Sequence, residues 1–222
     1  PSQCRCMREY FRREEEEKKR RKAEERVLEL QRSGFADATY LRHTFANDDG
    51  HSPKAREAAQ WYVEHFSEMK AGGKGLAFIG GTGTGKTFYA CCIANALIQR
   101  GVTVWVTAMQ PLLRKAGDYG AADDLFQRIK TVELLVLDDF GSSHNSARNV
   151  DLMFEIIDAR ARSGLPLIIT TNLCRADMEN PPLGLGRIYS RIKGMCGTCE
   201  KSPVVMDGED MRAQRARKAH GG

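Results

Sequence analysis

No apolar run in these 222 residues approaches the ~20 residues that would span a bilayer. The longest, such as Leu134–Leu137 and Leu165–Ile169, have the length of buried strands. An export signal is also missing: the N-terminus is charged from Arg5 onward, so the expectation is a cytoplasmic chain with no membrane role. The chain starts at Pro1 rather than Met, as a fragment or processed chain with sequence upstream would. No internal repeat appears, which sets solenoids aside. Without an export signal, the seven cysteines read as reduced thiols or metal ligands, not as a disulfide framework.

Apolar residues make up 41% and charged residues 28%, enough for a core in one domain or two small ones. The net charge of +5 sits at the ends. Residues 1–32 carry 11 Lys/Arg against 8 Asp/Glu, while residues 211–222 carry Arg212, Arg215, Arg217 and Lys218 and no acid. The stretch between is left at −2. Basic ends on a near-neutral body fit a polyanion partner; on charge alone they fit solvated termini equally well.

Residues 14–26 are nearly all charged and place Glu before Lys or Arg at i,i+4: Glu14–Lys18, Glu15–Lys19, Glu16–Arg20 and Glu17–Arg21. That order supports a solvated helix. Without sustained heptads it is a protruding connector, closed by Ser33-Gly34, rather than a coiled coil. The expected organisation is a Cys-containing segment and connector over 1–33, a globular domain over 34–212 and a basic tail over 213–222. Ala55, Ala58, Ala59, Tyr62, Phe66 and Met69 predict one amphipathic helix over 55–70. Strands are expected at Leu76–Ile79, Val102–Val106, Leu134–Leu137 and Leu167–Thr171, with helices at Thr87–Arg100 and Val150–Arg162. Thr87–Arg100 has no charge before Arg100 and reads as buried. This alternation predicts an α/β fold, a parallel sheet between helices.

Gly80-Gly81-Thr82-Gly83-Thr84-Gly85-Lys86-Thr87 fits G-x-x-x-x-G-K-S/T between a predicted strand and helix. Its glycines let backbone N–H groups turn inward around phosphate, and the helix N-terminus adds its positive dipole end. Lys86 is expected on the β/γ-phosphates and the Thr87 hydroxyl on Mg²⁺. The strand Leu134–Leu137 delivers Asp138 and Asp139 at its carboxyl end, a costly place for two carboxylates unless a cation or water is present. Asp138 suits the Mg²⁺-holding role and Asp139 the base that polarises the attacking water. Helix capping in the next loop is the plain alternative. Thr170-Thr171-Asn172 ends the next strand on the ligand edge of such a sheet. Asn172 could orient water or touch the γ-phosphate; as a turn residue it would do neither.

Together with LLVLDDFG (134–141), LPLIITTNL (165–173), RIYSRI (187–192) and Thr44-Phe45-Ala46-Asn47-Asp48, the Walker A stretch resembles the DnaC/DnaI-type bacterial and phage helicase loaders. These are AAA+ ATPases close to the IstB transposition helpers, and the resemblance covers about residues 35–212. It implies an AAA+ core, with the Asn172 strand between the Walker A and Walker B strands. It implies ATP and Mg²⁺ as cofactors, and a homo-oligomer with an arginine supplied in trans. Arg187 and Arg191 share one helix face, and Arg191 is the favoured finger. Gly208-Glu209-Asp210-Met211-Arg212 resembles the late G-x-S-x-R pattern, with Asp210 in the Ser place and Arg212 as the sensor-2 arginine. Asp139 stands where such ATPases often have Glu, one methylene longer, which implies slower hydrolysis.

Loaders of this kind often carry a Cys-rich N-terminal metal module, and Cys4-x-Cys6 resembles its last half. Two thiolates cannot complete a tetrahedral Zn²⁺ site, so Zn²⁺ requires ligands upstream. Cys196-Gly197-Thr198-Cys199 has knuckle or redox spacing without a second pair nearby, and Cys91-Cys92 read as packing residues. The expected function is an ATP-dependent helicase loader with a replicative DNA helicase and single-stranded DNA as partners. Alternatives are an IstB-like ATPase serving a transposase on duplex DNA, and a nucleotide-gated adaptor that hardly hydrolyses ATP.

Overall fold

The computed structural model describes residues 5–118, 120–141, 146–173, 177, 184–208 and 210. At its centre is a five-stranded sheet: β1 (Leu76–Gly80), β2 (Val104–Ala108), β3 (Leu134–Phe140), β4 (Leu167–Thr171) and β5 (Val204–Met206). The order is β2-β3-β4-β1-β5 and every pairing is parallel. The β4 strand therefore lies between β1 and β3, as the family resemblance implies.

Side-chain alternation splits each long strand between two apolar clusters. Phe78, Val104, Val106, Leu134, Val136 and Ile168 face one; Ala77, Trp105, Leu135, Leu137, Leu167 and Ile169 face the other. A parallel sheet needs both faces covered. On the first face lie α2 (Pro53–Glu64), α3 (Phe66–Ala71) and α4 (Lys86–Gln99); on the second lie α5 (Met109–Ala116), α6 (Ala122–Thr131), α7 (Ala147–Ser163) and α8 (Gly186–Cys196). Arg160 of α7 is fully buried, and its guanidinium donates to the carbonyls of Ile129, Val132, Glu133 and Pro166, tying α6 and the entries of β3 and β4 together.

The expected helix over 55–70 is two helices, because His65 interrupts it. Its N–H and its Nδ1 both lie within hydrogen-bond distance of the Trp61 carbonyl, and its backbone has left the helical region at φ −97, ψ 15. The strand expected at Val102–Val106 begins two residues later. Val102 N–H closes the end of α4 on Leu97 O, and Thr103 N–H is taken by the Glu133 side chain. The strand expected to end at Leu137 runs on to Phe140 with a register break against β4, so both Asp138 and Asp139 belong to it. Helices α5 and α6 and the three-residue β5 were outside the sequence expectation.

The N-terminal connector is α1 (Arg5–Gly34), exposed from residue 7 through most of its length. Its ion pairs differ from the expected set. Glu15–Lys19 forms at 2.7 Å, but Arg12, Arg20 and Arg21 reach forward to Glu16, Glu24 and Glu25. Exposed pairs of either order contribute only a few tenths of a kcal/mol, so nothing enforces one set. The last turn is different: Leu30 is buried in the core, Phe35 bridges to Val106, and Arg128 donates to the Ser33 carbonyl. The helix therefore enters the globular body instead of ending ahead of it.

Candidate nucleotide site

A cleft of about 740 Å³ opens at the carboxyl ends of β1, β3 and β4. This is the edge where parallel α/β sheets take ligands. Its floor is the loop that joins β1 to α4. Gly83 and Gly85 hold φ of 76° and 93°, a region closed to most side chains, which turns the loop tightly into the helix. Lys86 is buried at 7% exposure, and its ammonium donates to the Gly80 and Gly81 carbonyls, while Thr84 Oγ1 donates to Gly81 O at 2.9 Å.

Asp138 sits at the centre. Thr87 Oγ1 donates to its Oδ1 at 2.7 Å and Thr170 Oγ1 to the same oxygen at 2.6 Å; the Tyr40 hydroxyl reaches Oδ2 at 3.2 Å. Hydroxyl and carboxylate oxygens in contact at the buried Asp138 suit a hard divalent cation such as Mg²⁺. Burial and the adjacent Asp138 push the Tyr40 hydroxyl well above its usual range, so it stays a neutral donor. Asp139 is exposed and carries a positive φ of 55°, a strained conformation for a non-glycine residue. Its N–H donates to Thr170 Oγ1 at 2.9 Å, and its Oδ1 accepts from Asn172 Nδ2 at 3.3 Å. Lys86, Thr87, Asp138, Asp139 and Asn172 thus line one cleft.

The profile of the IstB-like ATP binding protein family matches residues 14–185. The chain belongs to that family. It is 28% identical over 171 residues to the replicative helicase loader DnaC of Buchnera aphidicola from Schizaphis graminum, a match covering 71% of this chain and 68% of the relative. Against DnaC of Escherichia coli K12 the identity is 31% over 147 residues, covering 63% of this chain and 57% of that protein. The chain thus spans little more than half of the E. coli relative. A crystal structure of DnaI superposes with a TM-score of 0.62 at 26% identity, covering 80% of this chain and 95% of that one. The fold of this IstB-like protein is therefore the AAA+ P-loop fold.

One wall of the cleft was not foreseen. It is a pair of 3-10 turns, Ala38–Arg42 and Phe45–Asn47, that brings Tyr40, Arg42, His43 and Asp48 over the P-loop. Asn95 of α4 holds it, with Nδ2 donating to the carbonyls of Tyr40 and His43, each at 2.9 Å. Asp48 fastens its far end, accepting from Tyr89 OH at 3.0 Å and pairing with Arg56 at 3.1 Å. A signal was available in Asn95, an amide among the apolar residues Cys91–Ile98 of α4, since a buried amide requires partners. The aromatic Tyr40 gave none by itself.

The arginines lie elsewhere. Arg191 Nε pairs with Asp158 at 3.0 Å, a carboxylate that also takes Arg162 at 2.6 Å, and Arg187 stacks 4.7 Å over the Phe154 ring. Neither lines the cleft of its own chain. Arg212 falls outside the described residues, as do Cys4 and the basic tail. Among the described residues no group of three or more His, Cys, Asp or Glu is arranged to hold a metal, and nothing there supports the Zn²⁺ expectation at Cys4 and Cys6. Cys196 and Cys199 are buried free thiols; Cys196 donates to Leu167 O at 3.3 Å, and burial pushes both thiols up. That makes them packing residues rather than a redox or metal pair.

Proposed function

We propose that this chain is an Mg²⁺-dependent ATPase that loads a replicative DNA helicase onto single-stranded DNA. The reading is carried by Lys86, Thr87, Asp138, Asp139 and Asn172 meeting in one cleft, in a family whose sequence relatives include replicative helicase loaders. Backbone N–H groups from Gly80 to Thr87 cradle the phosphates, and Lys86 leaves its loop carbonyls to meet the β/γ-phosphates. Thr87 and Asp138 would hold Mg²⁺, which when bound would offset the negative charge of the phosphates. Asp139, fixed by Asn172 and Thr170, orients the attacking water and accepts its proton. Arg191 of a neighbouring copy reaches the γ-phosphate; Asp158 retains Arg162 when Arg191 leaves. Arg187 supports that helix face, and Arg212 acts on the nucleotide of its own chain.

The exposed stretch of α1, with the segment before it, is the helicase-facing part. Its dense charge keeps it off the core and available to a partner. Removing residues 1–26 spares Leu30 and the docked last turn. The truncated chain should therefore lose helicase in a pull-down and keep its ATP turnover. Retention of helicase by the truncated chain at full-length levels would refute this assignment. The family's transposition branch favours a second reading, a transposase helper on duplex DNA. Titration of labelled single-stranded and duplex DNA with a non-hydrolysable ATP analogue separates the two. Tighter binding to single strands is expected, and tighter binding to duplex with no helicase retained would reverse the order. Absence of turnover despite ATP binding would leave a nucleotide-gated adaptor.

A further inference from the structure

The β5 strand pairs with β1 with Met206 opposite Gly80, so β5 ends beside the start of the phosphate loop. Two close approaches lie there. A Cβ on Gly80 would lie 2.1 Å from the Met206 carbonyl oxygen. One on Gly83 would lie 1.9 Å from Asp210 Oδ1, 2.3 Å from its Cγ and 2.9 Å from Oδ2. Real Cβ atoms do not come within 3.0 Å of such neighbours, so the space that a side chain at position 83 would fill belongs to the Asp210 carboxylate. Gly83 is the middle of the anion-binding loop, on the cleft lining. Asp210 is not itself among the lining residues, but its carboxylate stands against the loop built to receive negative charge.

We infer that Asp210 is a specificity-determining residue of the nucleotide site, whose carboxylate weakens binding of a highly charged phosphate chain and makes tight binding depend on a divalent cation. This rests on the ATP reading given above. Inward-facing N–H groups attract any anion, and a carboxylate of the chain itself competes for the same field. Like charges about 4 Å apart repel by a factor of roughly fivefold in bulk water and far more in a half-buried cleft. Each further phosphate charge adds to this, so ATP is opposed more than ADP. Mg²⁺ on the phosphates cancels part of it.

The test uses the full chain and competition against a fluorescent ATP analogue, in Mg²⁺ and in EDTA. Asp210→Asn keeps the shape and removes the charge; Asp210→Glu keeps the charge. The Asn variant should bind ATP about tenfold more tightly in EDTA, and gain less in Mg²⁺ and less for ADP. High salt should narrow the gap between wild type and the Asn variant. The Glu variant should stay well below the Asn variant in ATP affinity. A purely structural role would not rank the nucleotides by charge. Unchanged or weaker ATP binding by Asp210→Asn, with an unaltered melting temperature, overturns the inference. Wild type and Asp210→Asn both binding ATP no better than Lys86→Ala would instead overturn the ATP reading, and this inference with it.

Discussion

Asp138→Asn tests the cation site because it separates stability from ligand response. The carboxylate is 7% exposed and accepts from Thr87, Thr170 and Tyr40. Hydrogen bonds to a charged acceptor contribute about 1.5–3 kcal/mol each, against about 1 kcal/mol for neutral pairs. Weakening them in the Asn variant costs roughly 2–4 kcal/mol. Relief from burying an ionised carboxylate returns a similar amount, several kcal/mol in an isolated case. The net change should stay within about 1 kcal/mol, which for a chain this long is a melting shift under about 4 °C. The ligand response is larger. ATP at 100 times its Kd stabilises by about 2.7 kcal/mol, or roughly 5–11 °C. Wild type should show this rise with ATP and Mg²⁺ and a smaller one with ATP in EDTA. Asp138→Asn should show only the smaller rise in both buffers. Tyr40→Phe removes the longest of the three contacts and should keep most of the Mg²⁺-dependent part. A full Mg²⁺-dependent rise in Asp138→Asn would refute the cation assignment. A fall of more than about 5 °C without nucleotide would instead make Asp138 a structural carboxylate.

Arg191→Ala and Lys86→Ala proteins should each be inactive alone and regain ATP turnover when mixed, because mixed interfaces rebuild intact sites. Trans arginines supply ~10³–10⁵ in rate in the best-studied phosphoryl-transfer systems, so the recovery is measurable, and its absence in co-assembling proteins would count against the trans role. Away from the site, burial raises the pKa of Glu133, but Lys70 and Thr103 outweigh it and hold the carboxyl below its ordinary 4.5. Its stabilisation is present above that value and is lost as pH falls through the lower folded value. Urea unfolding should show Glu133→Gln less stable than wild type at pH 7 by at most about 1 kcal/mol, given the partial exposure of the pair, with the gap closing in acid once the pH has fallen through the lowered folded value. An equal gap in acid and at pH 7 would refute the ionic origin.

Much of the sheet was legible because each central strand is apolar on two faces and ends in punctuation: Gly80 closing β1, Asp138-Asp139 near the end of β3, and Thr170-Thr171 closing β4 ahead of Asn172. Local pattern and site chemistry coincide there, so the P-loop and the acidic strand end could be named from residues alone. The wall made by Tyr40, His43 and Asp48 was not legible in that way. Its contacts with Asp138, Asn95 and Tyr89 join residues 98, 52 and 41 positions apart. Periodicity carries no information at that range. The alternation within α1 did predict a helix but not its partners, since solvated charges are free to pair in either direction. The Asp210 approach to Gly83 was hidden for a similar reason: β5 is three residues long, too short for a pattern, and Asp210 lies 127 positions from Gly83.

The central claim, a nucleotide site built on Lys86 and its loop, is tested most directly by calorimetric titration of ATP with Mg²⁺ into the full chain and into Lys86→Ala. The predicted result is saturable binding at one site per chain in wild type and loss of that binding in the variant, with both proteins melting at closely similar temperatures. No heat in wild type, or the same binding curve in both proteins, would contradict it.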